Sequence, residues 1–349
     1  MIRWGVIGAG GIADRRTIPE GITKASGAKL VAVMDVNEAR VREVSRKYGD
    51  VPYYTKEEDL LKNPEVDAVY IATPTHLHHK HVTAAAEAGK HVLCEKPMAM
   101  TLSECEQMIE ACERNKVKLA LGFMMRFHSY HKKIKEMIDQ GMMGQLVLGR
   151  AQLTCWYPPI PGAWRQVPEL GGGGSLADMG SHCIDLLEMF MGNVVEVSGF
   201  TGTITHGYPV EDSALVMLKF ESGAHAVVDN NFNIPDAASR NVLELYGTKG
   251  SIIAEGTIGQ SSEGRAIARL ETAEKGYEAA QKRTGETLVE EEIKVEPVVN
   301  IYKAQIEQFM KSIEEDSVPL NSGERGMRNL KIVQAAYESA RTGRKIRID

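Results

Sequence analysis

The sequence contains few cysteines, and no two of them stand at the spacing of a zinc or redox motif. Cys94, Cys105, Cys112, Cys155 and Cys183 are the five, an odd number without a C-x-x-C pair. This pattern argues against a disulfide framework and against a structural metal site. We therefore expect free thiols, no metal and a reducing, cytoplasmic location.

Long apolar runs and an excess of basic charge are also missing. No apolar stretch approaches the ~20 residues that cross a bilayer. The 41 basic residues face 47 acidic ones, for a formal net charge of −6. We therefore expect neither a membrane nor a nucleic acid as partner. What remains is an ordinary globular composition in a chain of 349 residues, long enough for two domains.

Residues 1–122 alternate short apolar runs with amphipathic segments. The apolar runs are Ile2–Ile7, Leu30–Met34, Ala68–Ala72, His91–Leu93 and Val117–Gly122. The segments with helical periodicity include Glu38–Tyr48, His78–Ala88 and Leu102–Asn115. Strands that are apolar on both faces and alternate with helices predict a parallel sheet covered on each side, which is a doubly wound Rossmann domain.

After Gly122 the pattern changes to longer strands in which apolar and polar residues partly alternate. These strands are Gln145–Thr154, Val194–Thr205, Ser213–Glu221, Ala224–Asn231 and Asn241–Tyr246. They predict an α+β domain over residues 123–349, with a large, mostly antiparallel sheet that is open on one face. The polar stretch Gly256–Gly285 predicts irregular structure or a flexible hairpin. Two C-terminal helices, 299–315 and 323–342, are expected to pack back on the first domain.

A glycine-rich turn with the pattern G-x-G-x-x-A follows the first strand, at Gly8–Ala13. Gly8 permits the tight turn, Gly10 lets the backbone approach a pyrophosphate, and the small Ala13 lets the next helix pack closely on the sheet. The N–H groups at that helix N-terminus favour phosphate oxygens. The residues predicted to bind a nicotinamide dinucleotide in this turn are Gly8, Gly10, Gly11 and Ile12.

Asp35 ends the second apolar run, at the distance expected for the acidic residue of this fingerprint. A carboxylate there accepts hydrogen bonds from the adenosine ribose hydroxyls and repels a 2′-phosphate, which predicts NAD rather than NADP. Two alternatives stay open. Asp35 could instead cap the helix that begins near Asn37, and Arg40, one turn into that helix, could reach a phosphate and admit NADP.

A histidine-rich loop follows the third major strand, at the carboxyl end of the sheet where open α/β folds bind ligands. Thr73, Pro74 and His78 are predicted to line the cofactor cleft. The remaining histidines of this segment, His76, His79 and His81, are predicted to be surface residues of the next helix.

Two motifs supply groups for proton and hydride chemistry. Lys96, in Glu95-Lys96-Pro97, follows the strand His91–Leu93, so its ammonium should point into the cleft and stabilise a substrate oxygen. Asp178 and His182 lie four residues apart on a helix that a glycine-rich loop opens. They should therefore lie side by side, with the carboxylate orienting a histidine general base. An exposed turn lysine and a surface i,i+4 pair are the simpler alternatives.

Together these motifs resemble the Gfo/Idh/MocA oxidoreductases, the relatives of glucose–fructose oxidoreductase and myo-inositol dehydrogenase. The resemblance rests on Gly8–Ala13, on Thr73-Pro74 with His78, on Ala88–Pro97 and on Asp178-x-x-x-His182, and it extends to the last helix. It implies a Rossmann domain followed by a domain with an open sheet through which dimers or tetramers form. It also implies reversible hydride transfer at a secondary carbinol of a sugar or cyclitol.

The same resemblance implies roles for individual residues. Lys96 is then the catalytic lysine, His182 the proton acceptor, and Asp178 its partner or a substrate ligand. Arg126 occupies the second arginine of the family's Gly-Phe-x-Arg-Arg-Phe segment and is thereby predicted to contact the substrate, whereas Met125 replaces the first arginine. Further residues that the resemblance implies at the cofactor or the substrate are Glu95, Tyr157, Trp164 and Arg165.

The leading hypothesis is an NAD(P)-dependent dehydrogenase or reductase that acts on a small polyhydroxylated ring. A second is an enzyme that retains NAD and oxidises a glycoside transiently for elimination or epimerisation. A third is a non-enzymatic, nucleotide-sensing protein with the same fold. Net accumulation of NADH during turnover distinguishes the first hypothesis from the other two.

Overall fold

A computed structural model describes residues 1–271, 276–277, 283–284 and 288–349, and it confirms the predicted fold class. The strands of the parallel sheet are β1 Ile2–Ile7, β2 Ala28–Met34, β3 Tyr53–Tyr54, β4 Ala68–Ile71, β5 His91–Cys94 and β6 Leu119–Leu121. Those of the second sheet are β7 Leu146–Thr154, β8 Val194–Gly202, β9 Ser213–Phe220, β10 His225–Asn231, β11 Val242–Gly247, β12 Gly250–Glu255, β13 Arg265–Glu271, β16 Leu288–Glu292 and β17 Ile346–Arg347. Two further short strands, β14 Gly276–Tyr277 and β15 Arg283–Thr284, form a separate pair.

The helices connect these strands and cover one face of the second sheet. They are α1 Ala13–Ile22, α2 Glu38–Lys47, α3 Glu57–Leu61, α4 His78–Glu87, α5 Leu102–Arg114, α6 Ser129–Asp139, α7 Pro168–Gly171, α8 Ser181–Met191, α9 Ile301–Glu314 and α10 Gly323–Thr342. Helix α1 and the segment Leu176–Gly180 have π-helical hydrogen bonding. Within the described residues, no helix has both the length and the apolar composition needed to traverse a bilayer.

The first sheet has the strand order β3-β2-β1-β4-β5-β6, with every pair parallel. Its central strands are buried on both faces, which explains their continuous apolar sequences. The chain leaves β1 towards one edge and returns at β4 towards the other. A crevice therefore forms at the carboxyl ends of β1 and β4, the place where folds of this order bind dinucleotides.

The second sheet has the order β16-β13-β12-β11-β7-β10-β9-β8-β17, and among its described strands only β7 and β10 pair in parallel. Strand β9 alternates buried residues with exposed ones such as Leu215 and Met217, so one face packs on α8 and the other is open. Of the two alternatives predicted for Gly256–Gly285, irregular structure is wrong where β13 forms and pairs antiparallel with β12 and β16. Residues 272–275, 278–282 and 285 of that stretch lie outside the described residues.

The two C-terminal helices contribute side chains to both hydrophobic cores. Ile301 at the start of α9 belongs to the core of the second sheet, whereas Phe309 lies in the core of the parallel sheet with its ring 5.8 Å from that of Trp4. In α10, Leu330 packs in the core of the parallel sheet, and Ile332 packs in the core of the second sheet. The division into domains at residues 122 and 123 stays a prediction.

Candidate active site

A cleft of about 510 Å³ lies between the parallel sheet and the second sheet. Side chains from both halves of the chain line it. The lining residues that the sequence had suggested are Ile12, Glu95, Lys96, Tyr157, Arg165, Asp178 and His182. Polar lining residues that it had not suggested include Arg15, Asp236, Ser239, Asn241 and Tyr302.

Lys96 lies at the carboxyl end of β5 with its ammonium against the π-helical segment. Its Nζ donates to the backbone carbonyl of Asp178 over 2.7 Å and to Oδ1 of the same residue over 2.8 Å. The side chain is only 9% exposed. An ammonium has three N–H donors, so one remains for an oxygen atom of a bound molecule.

Asp178 and His182 do not pair with each other as the i,i+4 spacing had suggested. Within the described residues, Asp178 binds Lys96 and Arg165, and Nδ1 of His182 is buried without a partner. The reason is the π-helical turn Leu176–Gly180, whose wider spacing moves residues four apart out of alignment. The same turn presents the Asp178 carbonyl to Lys96.

Opposite charges surround Asp178 on the cleft wall. Burial alone would raise the pKa of its carboxyl, but Lys96 and then Arg165, whose Nε lies 3.3 Å from Oδ1, lower it, and the net shift is downward. Burial, together with the nearby charge of Lys96, holds the pKa of His182 well below its usual value. The site therefore contains a neutral imidazole and an ionised carboxylate near neutral pH.

A buried chain of hydroxyl groups supports Glu95 behind Lys96. Thr17 Oγ1 donates to the Tyr70 hydroxyl over 2.9 Å, and that hydroxyl donates to Glu95 Oε1 over 2.5 Å. Burial raises the pKa of Glu95. The Glu95 carboxylate lies against Gly122, as a Cβ atom on this glycine would be only 2.8 Å from Glu95 Oε1. Only glycine fits at that position without displacing Glu95.

The glycine turn is built for close approach to the backbone. Gly8 has φ of 82°, and a Cβ atom on it would lie 2.8 Å from the carbonyl carbon of Ala72, so a side chain would force β1 and β4 apart. No side chain caps the N-terminus of α1, which leaves its N–H groups free to bind the pyrophosphate of a dinucleotide. The turn therefore fits the cofactor that the sequence predicts.

Asp35 holds the glycine turn and the start of α2 together. Its Oδ2 accepts from the Gly10 N–H over 3.1 Å and its Oδ1 from the Asn37 N–H over 3.0 Å. The helix cap itself is Asn37, whose side chain accepts from the backbone N–H of Arg40. The Arg40 side chain lies over the turn, since a Cβ atom on Gly10 would be 2.6 Å from its Nε.

His78 lies behind the cleft, and the described residues that line the cleft include neither it nor Thr73 and Pro74. Its ring nitrogens lie 2.9 Å from the carbonyls of Thr73 and Pro97, and it is 1% exposed. It thus ties together the loops that follow β4 and β5. The surface position predicted for His81 is wrong, because its Nδ1 lies 3.0 Å from Thr73 Oγ1 and burial lowers its pKa to about 4.

Arg126 also lies away from the cleft, contrary to its predicted contact with substrate. Its Nε lies 2.8 Å from both carboxylate oxygens of Asp185, and both residues are buried. The 3₁₀ turn Met124–Phe127 sends successive side chains in different directions, so Met125 lines the cleft and Arg126 faces α8. Trp164 likewise does not line the cleft within the described residues, and its ring lies 4.2 Å from the Arg165 guanidinium.

Glu211 and Tyr337 position the glycine-rich loop before Asp178, and sequence reasoning missed both. The Glu211 carboxylate accepts from the N–H groups of Gly174 and Leu176 over 2.9 Å and from the Tyr337 hydroxyl over 2.8 Å. A side chain on Gly174 would collide with the Glu211 backbone. These contacts join residues that are far apart in the chain, and no local pattern announces them.

A Rossmann crevice with a matching glycine turn and a lysine at its mouth defines the class of NAD-binding oxidoreductases. The chain belongs within this class to the Gfo/Idh/MocA family. The oxidoreductase family with an NAD-binding Rossmann fold matches residues 2–123, and the Gfo/Idh/MocA C-terminal domain matches residues 131–267. The resemblance inferred from the motifs is thereby confirmed, and with it the NAD cofactor.

Relatives over the full length of the chain have named activities. It is 31% identical to the 1,5-anhydro-D-fructose reductase of Ensifer adhaerens and 30% identical to the myo-inositol 2-dehydrogenase of Thermotoga maritima, in each case over 100% of this chain and 99% of the relative. The crystal structure of the aldose-aldose oxidoreductase from Caulobacter crescentus, complexed with glycerol, superposes with a TM-score of 0.87 at 26% identity, covering 99% of both chains.

Proposed function

We propose that this protein is an NAD-dependent oxidoreductase that transfers a hydride between the nicotinamide and a secondary alcohol or ketone of a sugar, glycoside or cyclitol. The observation that carries the proposal is the cleft wall, where Lys96, Asp178 and His182 surround one point at the end of β5. The reductase that is 31% identical and the dehydrogenase that is 30% identical act on substrates of this class, as their names state.

Each group at this point has a defined task. Bound NAD supplies the hydride acceptor. His182 is neutral, so it accepts the proton of the reacting hydroxyl. Lys96 donates its free N–H to the same oxygen and stabilises the charge that develops there. Asp178 fixes the ammonium through two hydrogen bonds, and Asp236 and Asn241, which also line the cleft, are candidates to bind the remaining hydroxyls.

The compartment and the assembly state belong to the same proposal. All five cysteines are free, which suits a reducing cytoplasm. On the open face of the second sheet, Phe200 lies opposite Leu215 in the neighbouring strand, and both are exposed together with Met217. Such an apolar patch is typical of an interface, so we propose that the protein self-associates through this face as a dimer or tetramer.

The test is a screen of absorbance at 340 nm with NAD and NADP, each against a panel of sugars, glycosides and cyclitols. We expect NADH to accumulate with a member of this panel, and NAD to be preferred because the Asp35 carboxylate would face a 2′-phosphate. A tenfold preference for NADPH over NADH in a binding titration would contradict the cofactor preference. Turnover with bound NAD and no accumulating NADH would instead support transient oxidation, which the named relatives do not favour.

The pH profile of the oxidation checks the role of His182. Its pKa lies well below 6.5 because of burial and the charge of Lys96, so the neutral, proton-accepting form persists as the pH falls through 6.5. We expect kcat/KM for alcohol oxidation to stay level down to pH 6.5 and to decline only in more acidic solution. An inflection at or above pH 6.5 that persists in His182→Gln would contradict this role.

A further inference from the structure

Helix α10 contacts both of the segments whose side chains form the ion pair in the cleft wall. Gln334 Nε2 donates over 3.2 Å to the backbone carbonyl of Met100, in the loop that follows β5. The Tyr337 hydroxyl accepts over 3.2 Å from the backbone N–H of Ala177, in the π-helical segment. Residues three apart lie on the same side of a helix, so one face of α10 holds both segments.

A hydrogen-bond network extends the contact of Tyr337. Its hydroxyl donates to Glu211 Oε1 over 2.8 Å, and the same carboxylate accepts from the N–H groups of Gly174 and Leu176. Burial and the charge of Glu211 raise the pKa of Tyr337 well above its usual value, so the hydroxyl keeps its proton and remains a donor. The network therefore satisfies the N–H groups at the start of the π-helical segment and fixes where that segment begins.

Close packing holds α10 against the loop that carries Lys96. A Cβ atom on Gly326 of this helix would lie 3.0 Å from Sδ of Met98, so a side chain there would push the helix away from the loop. On the other segment, Asn329 Nδ2 donates over 2.8 Å to the backbone carbonyl of Ser181, where the π-helical turn passes into α8. The position of α10 is therefore fixed against both segments.

The separation of the two segments determines whether the ion pair forms. Lys96 Nζ reaches the carbonyl and the carboxylate of Asp178 at hydrogen-bond distance only while both segments keep their places. We propose that Gln334 and Tyr337 are positioning residues that set the Lys96 ammonium at the reacting oxygen. Neither of them lines the cleft within the described residues, so they act through the ion pair and not on the substrate. This inference rests on the proposed alcohol oxidation.

The kinetics of Tyr337→Phe, with the substrate that the screen at 340 nm identifies, test the proposal. The change keeps the ring and removes the hydroxyl, so kcat should fall about threefold to tenfold, the effect of one hydrogen bond, while KM stays within about twofold. In Lys96→Met the same change should lower kcat no further, because the group that it positions is already gone. Equal losses in both backgrounds would indicate a general structural role and overturn the proposal.

A second variant and a matched control accompany this measurement. Gln334→Met removes the donor to the Met100 carbonyl and should reproduce the fall in kcat at a steady KM. The control is Tyr246→Phe in β11, because that hydroxyl also donates to a carboxylate, Glu244 Oε2 over 2.9 Å, away from the cleft. It should leave kcat unchanged. Unchanged kcat in both α10 variants would contradict the proposal.

Amide hydrogen exchange provides a readout that needs no substrate. Loss of the Tyr337 hydroxyl frees the Ala177 N–H, so peptides over residues 174–181 should exchange faster in Tyr337→Phe and at the wild-type rate in Tyr246→Phe. A wild-type rate in Tyr337→Phe would also overturn the proposal. If the wild type oxidises no member of the panel, the proposed function fails, and the exchange rates still decide whether α10 fixes the segment of Asp178.

Discussion

Replacing Lys96 by methionine should lower kcat by about 10²- to 10⁴-fold, the range that a proton-transfer or charge-stabilising group contributes. Methionine keeps the length of the side chain but removes the ammonium that Asp178 holds by its carbonyl and its carboxylate. The oxygen of the reacting alcohol would then develop charge without a donor. Steady-state kinetics with the substrate that the screen identifies measure the effect.

Two measurements separate a chemical role of Lys96 from a structural one. The affinity of Lys96→Met for NADH should stay within about twofold of wild type, a change of less than one hydrogen bond. Lys90→Met is the matched control, because the Lys90 ammonium is also part-buried and donates to the carbonyls of Asn63 and Val66, far from the cleft. That variant should lose stability and keep its kcat. Near-normal turnover in Lys96→Met would refute the mechanism.

Replacing Arg126 by methionine should destabilise the fold by about 3–5 kcal/mol, because it leaves a buried carboxylate uncompensated. Asp185 is 3% exposed. Arg126 Nε donates to the Asp185 carboxylate, and a second guanidinium nitrogen of Arg126 donates to the Asp185 backbone carbonyl. The double variant Arg126→Met with Asp185→Leu should recover most of the loss, since an apolar pair can replace a buried ion pair. Urea unfolding of the single and double variants measures these changes.

The loss of stability in Arg126→Met should also depend on pH. Burial already raises the pKa of Asp185 although Arg126 opposes it, and removal of the arginine raises it further. A carboxyl whose folded pKa exceeds its unfolded value loses stability as the pH rises through the folded pKa. The variant should therefore be more destabilised at pH 8 than at pH 5. A changed KM with unchanged stability would instead restore Arg126 as a substrate ligand.

The Rossmann half was predictable because its signals are local. A parallel strand buried on both faces is a continuous apolar run, and the glycine turn at Gly8 directly follows such a run. The edge of the second sheet was not predictable in this way. Strand β16 is exposed at every position, so no apolar pattern marks it, and β13 lies in a stretch rich in polar residues.

Within the site, the sequence identified groups but not their partners. It placed Lys96, Asp178 and His182 in one cleft, yet it paired Asp178 with His182 because it assumed an ordinary α-helical turn. A single sequence does not reveal a π-helical turn. Nor does it show that Tyr302 and Glu95, more than 200 positions apart, line the same cleft, since this depends on how α9 packs on α1.

Helices α9 and α10 each bury side chains in both hydrophobic cores, and this limits how the enzyme can open. In many two-domain enzymes the halves swing about a hinge to admit a ligand. Here such a clamshell motion would pull Phe309 or Ile332 out of a packed core. The two halves should therefore stay together as one rigid body when a ligand binds.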